Sequence, residues 1–539
     1  MTSQQLPDHP NLEQLKKQAK SRLQGARANN GAELVRFRIL PRLSAKPITE
    51  LSALSLALHD AQSVIAREYG FKSWNELRSY VEERSLTFAA AVDEFVRCAT
   101  GGAAARAHRL LALHPGIAHA NLYTELVLGD AAAVDSRLTK QPELATQKGG
   151  VQEWEPLLYV CHTYLHHEKP ERAAGLVAIA RGLLARGANP NAEYHFQWHR
   201  ELPRTALWAA LCAADYLPLA EVLLEAGANP TDGVSVHITA GSGNLAALEL
   251  LNRFGVDVNG IPGGVPPLRY AMAWTGSSIA SAPGLRWLLD HDADVNLSWG
   301  ELDESPLHIA AQRWDVEMVE LLVQRGADIQ RRRADGRTAH TVAELQGNRK
   351  VAEWLLQHGA QDELSVLERF VAACAQGDRT RAETMLRADP GLRGQLRAEH
   401  HLMLQVPAER GDATVLEAML VCGFDPNVAD GEGITALHRA AMGGHSDAVR
   451  VLLAHGASVN TLDGFVRGTP LLWAAHGWQE DPDTRIGDPK ADHVGVARQL
   501  IAGGSPLDWL APENAPDPQA TQEQLANLIR TASAPPTPR

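Results

Sequence analysis

Residues 430–461 read DGEGITALHRAAMGGHSDAVRVLLAHGASVNT, and their order of residue types spells two short helices separated and closed by turns. Thr435 and His438 bracket a first helical turn, where a hydroxyl and an imidazole satisfy backbone groups that a helix start leaves free. Ala440 and Ala441 are small enough for a neighbouring helix to approach closely. Gly444 ends the first helix, Leu452 and Leu453 bury the second, and Gly456 supplies the left-handed residue that closes it. The segment ASVN then leads out into a turn.

This unit recurs along the chain. With the residue after Thr435 as anchor, the series Pro306, Ala339, Arg369, Met403, Ala436 and Pro470 advances by 33, 30, 34, 33 and 34 residues. Pro156, Ala206, Ser235 and Pro267 continue it upstream with looser spacing. Helix-closing glycines recur in ARGANPN, EAGANPT, RFGVDVN, QRGADIQ, VCGFDPN and AHGASVN, whereas DHDADVN puts Asp292 in that place, a costlier residue for the conformation. A period of about 33 residues carrying a TPLH-like signal resembles the ankyrin repeat. The resemblance spans roughly residues 87–508 and is strongest at 300–330 and 430–461. Residues 87–149 and 365–398 keep the helix–helix pattern and lose the TPLH and hairpin signals, so a plain capping or bridging helical hairpin is an equal reading there. The resemblance implies an all-α solenoid with short β-hairpin fingers, whose fingers and inner helices form a concave binding face.

Residues 10–84 have another texture. Leu12, Leu15, Ala19 and Leu23 share one helical face. Further on, Gly70 can close a helix, Phe71 can fold back onto it, and Ser73 with Glu76 makes a capping box for the next helix. The pair LPDHPNLEQLKKQAKSRL and AQSVIAREYGFKSWNEL is similar to N-terminal segments of bacterial ankyrin-repeat proteins, which implies a bacterial origin. The reading favoured here is a cap that shields the apolar end of the stack. The expected organisation is a helical module over 1–86, degenerate helical hairpins over 87–149, a first block of repeats over 150–361, a degenerate or bridging repeat over 362–398, a second block over 399–510, and a flexible proline-rich tail over 511–539.

Composition narrows the function. The net charge of −13 is uneven, because residues 1–85 hold 13 Lys and Arg against 9 Asp and Glu. An acidic body repels phosphate backbones, so nucleic acid is not the expected partner. No apolar run reaches the roughly 18–20 residues of a membrane span, and the N-terminus lacks an apolar signal core. The five cysteines are dispersed without a CxxC pair, which favours a reducing cytoplasm over a disulfide framework or zinc ribbon.

The stretch YVCHTYLHHEKPER (159–172) looks at first like a metal cluster. The repeat frame assigns Cys161 to a buried alanine position and moves His166 and His167 into an insertion beyond the helix end. Insertions at 164–172, 275–282 and 479–493 fall between inner and outer helices. Only His162 is left to face His195 or His199, a weak set for a metal, and none is assigned. The last two inner-helix positions of each repeat, such as Gln312/Arg313, Leu345/Gln346 and Glu409/Arg410, should face the groove. Candidate binding residues are His162, His195, Trp198, His199, Trp274, Trp299, Glu301, Arg313, Trp314, Arg331, Arg332 and His476. No catalytic motif or cofactor fingerprint appears. The expected function is a non-enzymatic scaffold that binds a protein or peptide partner on its concave face. The alternative is an enzyme, or a small-molecule or metal binder, using a His/Trp pocket around residues 162–314.

Overall fold

The computed structural model describes residues 6, 7, 10–54, 56–196, 199–260, 264–274, 282–464, 467–477, 491–507, 525, 526, 528, 529 and 532. Helices dominate, and the one two-stranded sheet among the described residues pairs Glu193–Phe196 with His199–Thr205 in antiparallel register, Glu193 opposite Thr205. The chain divides into two compact units, residues 1–239 with 244–263, and 240–243 with 264–539.

In the second unit the stretch 430–461 folds as its residue types require. The first helix runs Ala436–Met442 and the second Ser446–Ala454. The backbone N–H of Thr435 donates to His438 Nδ1 at 3.2 Å, and the Thr435 hydroxyl lies 2.9 Å from the same nitrogen. With Nδ1 accepting, Nε2 carries the proton and donates to the carbonyl of Gly468 at 3.3 Å, in the finger of the following repeat. Ser305, His308 and Arg337 repeat this arrangement, His308 Nε2 donating to the Arg337 carbonyl at 3.2 Å. One imidazole thus caps its own helix and ties down the next finger. Leu452 is fully buried and Leu453 half-buried. Gly456 closes the helix at φ +83°, and Asp292 adopts φ +62° in the equivalent place, as its position in the motif required.

A second clasp involves the asparagine ending ANPN, ADVN and FDPN. Asn296 Nδ2 donates to the Gly326 carbonyl at 2.9 Å while its Oδ1 accepts from Asp328 N at 2.9 Å. Asn427 does the same with Gly456 and Ser458, and, in the first unit, Asn191 with Gly227 and Asn229. The amide has the donor and the acceptor needed to satisfy both groups left open at the next repeat's helix end.

The first unit begins with the N-terminal helices. Leu15, Ala19, Leu23, Val64, Ile65 and Leu77 share one core. Gly70 takes φ +87°, and Phe71 N reaches back to the Ala66 carbonyl at 2.9 Å. Ser73 accepts from Glu76 N, while the Glu76 carboxylate accepts from Lys72 N rather than from Ser73. Residues 87–149 form two helix pairs, beginning with Phe88–Thr100 and Ala104–Leu113. Glu83, with no exposed surface, receives Arg109 Nη2 at 2.7 Å and Nε at 3.0 Å, joining the N-terminal module to the first of these pairs.

Two local features depart from the sequence reading. Thr205 to Gly227 is one residue longer than Thr435 to Gly456, and the extra residue is absorbed by a π-helical turn over Ala209–Ala213. The tail, expected to be flexible, contributes Leu525, Leu528 and Ala532 to the buried core of the second unit, and Arg498 Nε donates to the Ala532 carbonyl at 2.9 Å. Their spacing of three and four residues is one helical face.

Candidate functional site

In the first unit, His162 ends the helix Pro156–His162 and is buried, not displayed in a groove as expected. Trp154, Tyr194 and Trp208 surround its ring at centroid distances of 4.7, 5.2 and 5.9 Å. Its Nδ1–H donates to the Leu158 carbonyl at 2.9 Å, and Nε2 has no partner. Burial pushes its pKa down to about 4. The helix ends at His162 because the repeat here takes an insertion; His166, assigned to a loop, is itself buried against His167 and Tyr216. Cys161 is fully buried, and burial raises its thiol pKa, as befits a framework position.

His195 is exposed and lies 3.9 Å from Glu193. Trp198 lies outside the described residues, as do the side chains of His199 and Trp274 and most of the insertions at 275–282 and 479–493. Among the described residues no three His, Cys, Asp or Glu side chains gather as a metal-binding group. Trp154, Tyr194 and Tyr123 were missed as an aromatic strip. Trp154 stands two residues before the Pro156 anchor, at the base of a finger, and that position is the signal that marks it.

The His162 ring makes a testable pH statement. Its folded pKa of about 4 lies below the ordinary value of about 6.5. The unfolded chain therefore takes the proton first, and stability is complete above pH 6.5 and lost as pH falls toward 4. Between pH 7 and 4.5 this one residue should account for roughly 2–3 kcal/mol of acid destabilisation. His162→Phe, which keeps a ring among the aromatic neighbours, should flatten the pH dependence of the urea midpoint by that amount. An unchanged slope would show that His162 is not held neutral.

In the second unit the sequence candidates separate into two groups. Arg331 donates to Ser298 Oγ and the Asn296 carbonyl, both at 2.8 Å, and pairs with Asp303. Arg332 pairs with Glu363, and Arg333 lies between Glu304 and Asp335. These arginines brace the fingers, Arg331 and Arg333 largely covered and Arg332 with about half of its side chain exposed. The carboxylates come from neighbouring repeats, Asp303, Glu304 and Glu363, with Asp335 as the one local partner. Trp314 is corrected, being 1% exposed. Its backbone is extended at φ −92°, ψ 164°, so it does not copy the left-handed glycine whose slot it fills.

The remaining candidates are accessible. Trp299 is 39% exposed on a finger held by paired Trp299–Glu304 backbone bonds, with the Arg269 guanidinium 5.4 Å from its ring. Glu301 is exposed in the same finger, and His476 is exposed near the end of the helix Pro470–Gly477. Arg313 is exposed on a cleft of about 680 Å³ lined by Gln312, Arg313, Trp314, Gln346, Glu409 and Arg410, with Asp315, Gly347, Asn348 and Val406. Five of these, Gln312, Arg313, Gln346, Glu409 and Arg410, are inner-helix positions that the repeat frame assigned to the groove. Trp473, in contrast, donates its indole N–H to Asp463 at 2.9 Å and packs edge-on to His438, a residue of the stack.

The comparisons with known proteins agree with this geometry. The family model described as "Ankyrin repeats (3 copies)" matches residues 277–365 and 402–481. The chain is 31% identical to mouse (Mus musculus) Rabankyrin-5 over 166 residues, 30% of this chain and 14% of that protein. It is 26% identical to the E3 ubiquitin-protein ligase KEG of Arabidopsis thaliana over 204 residues, 36% of this chain and 12% of that protein. It is 34% identical to the E3 ubiquitin-protein ligase XBAT32 of the same plant over 166 residues, 29% of this chain and 30% of that protein. The chain thus spans less than a third of the length of each, and the shared feature is the repeat. No helix among the described residues is long and apolar enough to cross a membrane. With its stacked helix pairs and capping histidines, the chain has the fold of an all-α ankyrin solenoid with a small β-hairpin, and it carries ankyrin repeats over the matched residues, modules that generally mediate protein–protein interaction.

Proposed function

We propose that the chain is a scaffold that binds a protein or peptide through the concave-facing positions of its repeats. The observation that supports this most directly is the cleft of about 680 Å³ in the second unit, formed at the ends of the inner helices Pro306–Arg313, Ala339–Leu345 and Gln405–Arg410. Framework positions in these repeats are occupied by the stack itself: His308 and His438 hold fingers, and the alanines at 310–311 and 440–441 are buried. The cleft residues carry no such duty in common, and their side chains vary from repeat to repeat. Surface that is shaped but not committed to packing is where an ankyrin stack recognises a partner.

The N-terminal module is read as a cap, supported by the buried Glu83 that joins it to the first helix pair. Its likeness to bacterial segments, through AREYGFKSWNEL, and a cytoplasmic location remain readings from sequence.

A blocking substitution tests the groove. Gln346 lines the cleft, and its amide makes no hydrogen bond among the described residues, so Gln346→Trp should fill the space without disturbing the core. Affinity capture with the full chain, quantified by mass spectrometry, should lose its specific partner about tenfold or more with Gln346→Trp. Lys350→Ala, on the outer helix Arg349–Gln357, should leave capture unchanged. Equal capture by both variants would place the binding surface elsewhere.

A further inference from the structure

We propose that the cleft of the second unit takes an acidic peptide, an extended segment that presents carboxylates to Arg313 and Arg410 and an apolar side chain between them. This rests on the groove reading above and adds the chemistry of the partner.

The first observation is how the arginines of this unit are used. Arg325, Arg331, Arg332, Arg333, Arg337 and Arg369 each hold a carboxylate of the chain itself. Arg313 and Arg410, like Arg381, Arg387, Arg393 and Arg397, hold none among the described residues, and what sets these two apart is that both are exposed on the same cleft. They are the ends of two inner helices, Pro306–Arg313 and Gln405–Arg410. An arginine fork is built to take a carboxylate through two parallel bonds, and here two such forks face a common space unpaired.

The acidic residues of the lining do not supply the missing partners. Asp315 accepts from Met318 N at 3.0 Å and caps the helix Val316–Gln324. Glu409 precedes Arg410 on its helix but forms no ion pair with it. A third cation extends the basic edge: Arg269 lies over Trp299, and its pKa is held down by burial and, further, by the positive charge of Arg313. That mutual repulsion is relieved when an anion arrives.

The second observation is a recess of about 190 Å³ that shares Gln346, Gly347, Val406 and Arg410 with the cleft. Leu345, Met403, Pro407 and Met419 line it together with the polar Gln376 and with Asp412, whose carboxylate is taken up by Val415 N as a helix cap. Methionines in such a wall adapt to the shape that enters. Gln346 offers a free amide to the peptide backbone beside it.

The same lining argues against a polyphosphate. Asp315 and Glu409 stand among the arginines, and a continuous anionic backbone would meet them in repulsion, whereas a peptide can place its carboxylates singly. The net charge of −13 also gives a polyanion no long-range attraction. Over distances beyond about 8–10 Å at physiological salt that repulsion is screened, so a short acidic peptide feels mainly the local arginines.

The test is selection of a randomised twelve-residue display library on the full chain, followed by titration of the selected peptides. The expected result is enrichment of peptides with two acidic residues flanking an apolar one. Arg313→Ala and Arg410→Ala should each weaken such a peptide about tenfold or more, the loss of one charge-assisted contact. Changing either acidic residue of the peptide to its amide should weaken binding equally, and Glu409→Gln should tighten it. Arg313→Glu should restore affinity for a peptide with lysine at the matching position. Peptides without acidic residues that are still lost with Gln346→Trp would overturn the acidic assignment and keep the groove. Acidic peptides indifferent to both arginines would overturn it as well. Selected peptides indifferent to Gln346→Trp would remove the groove reading too.

Discussion

Arg109→Ala should destabilise the N-terminal part of the first unit by about 3 kcal/mol, and Glu83→Ala by clearly less, about 1–2 kcal/mol. The asymmetry follows from where the two charges sit. Glu83 has no exposed surface, while the side chains of Arg109 and Arg106 are 45% and 37% exposed. Removing Arg109 leaves a carboxylate out of water with Arg106 Nε, at 3.5 Å, as its remaining charged partner among the described residues. Removing Glu83 frees two guanidinium groups that can turn toward solvent, so the cost is lost bonds and a small void. Urea unfolding followed through the N-terminal helices measures both. A larger loss for Glu83→Ala would mean that the pair works by packing and not by charge. The double variant, compared with the two single ones, gives the coupling directly. The outcome bears on the module's role, because a cap has to be held to what it covers, and this contact joins the helix Trp74–Ser85 to Ala104–Leu113.

Much of the fold was legible because ankyrin repeats use particular residues for particular backbone duties. Thr435 and His438 announced a helix start, Gly456 a left-handed closure, and Asp292 a strained one, and all four do these things. The capping corner at Gly70–Ser73 was legible for the same reason. Side-chain partnership was less so. Arg331 and Arg332 read as free binding residues because their carboxylates, Asp303 and Glu363, lie 28 and 31 residues away in neighbouring repeats. His162 was placed correctly at the helix end. Its burial depends on Trp154 and Tyr194, which come from the two flanking fingers and give no periodic signal. That Gln312/Arg313, Gln346 and Glu409/Arg410 line one cleft was legible from the frame alone, since these positions follow from counting back from the helix-closing slot.

Tryptophans show where residue type stops being informative. Trp299 and Trp314 both read as groove aromatics, yet one is 39% exposed and the other 1%. Trp314→Ala should cost about 3–5 kcal/mol, the range for deleting a fully buried large aromatic. The loss includes the void beneath the cleft, because the residue is part of its lining. The helix–turn geometry around it should also loosen. The Asn348 amide donates to the carbonyls of Ala311 and Trp314 at 3.2 and 2.9 Å, and these bonds hold the turn that the indole packs under. Trp299→Ala should cost about 1 kcal/mol, clearly less than Trp314→Ala, since its side chain is partly exposed and its finger is held by backbone bonds to Glu304. Its effect should appear in binding, where an exposed indole under a guanidinium is a strong anchor. Measuring stability by urea unfolding and partner capture in parallel separates the two roles. Trp314→Phe supplies the control: it refills most of the void and should recover more than half of the lost stability. Equal destabilisation by Trp299→Ala and Trp314→Ala would contradict the burial difference on which this division of roles depends.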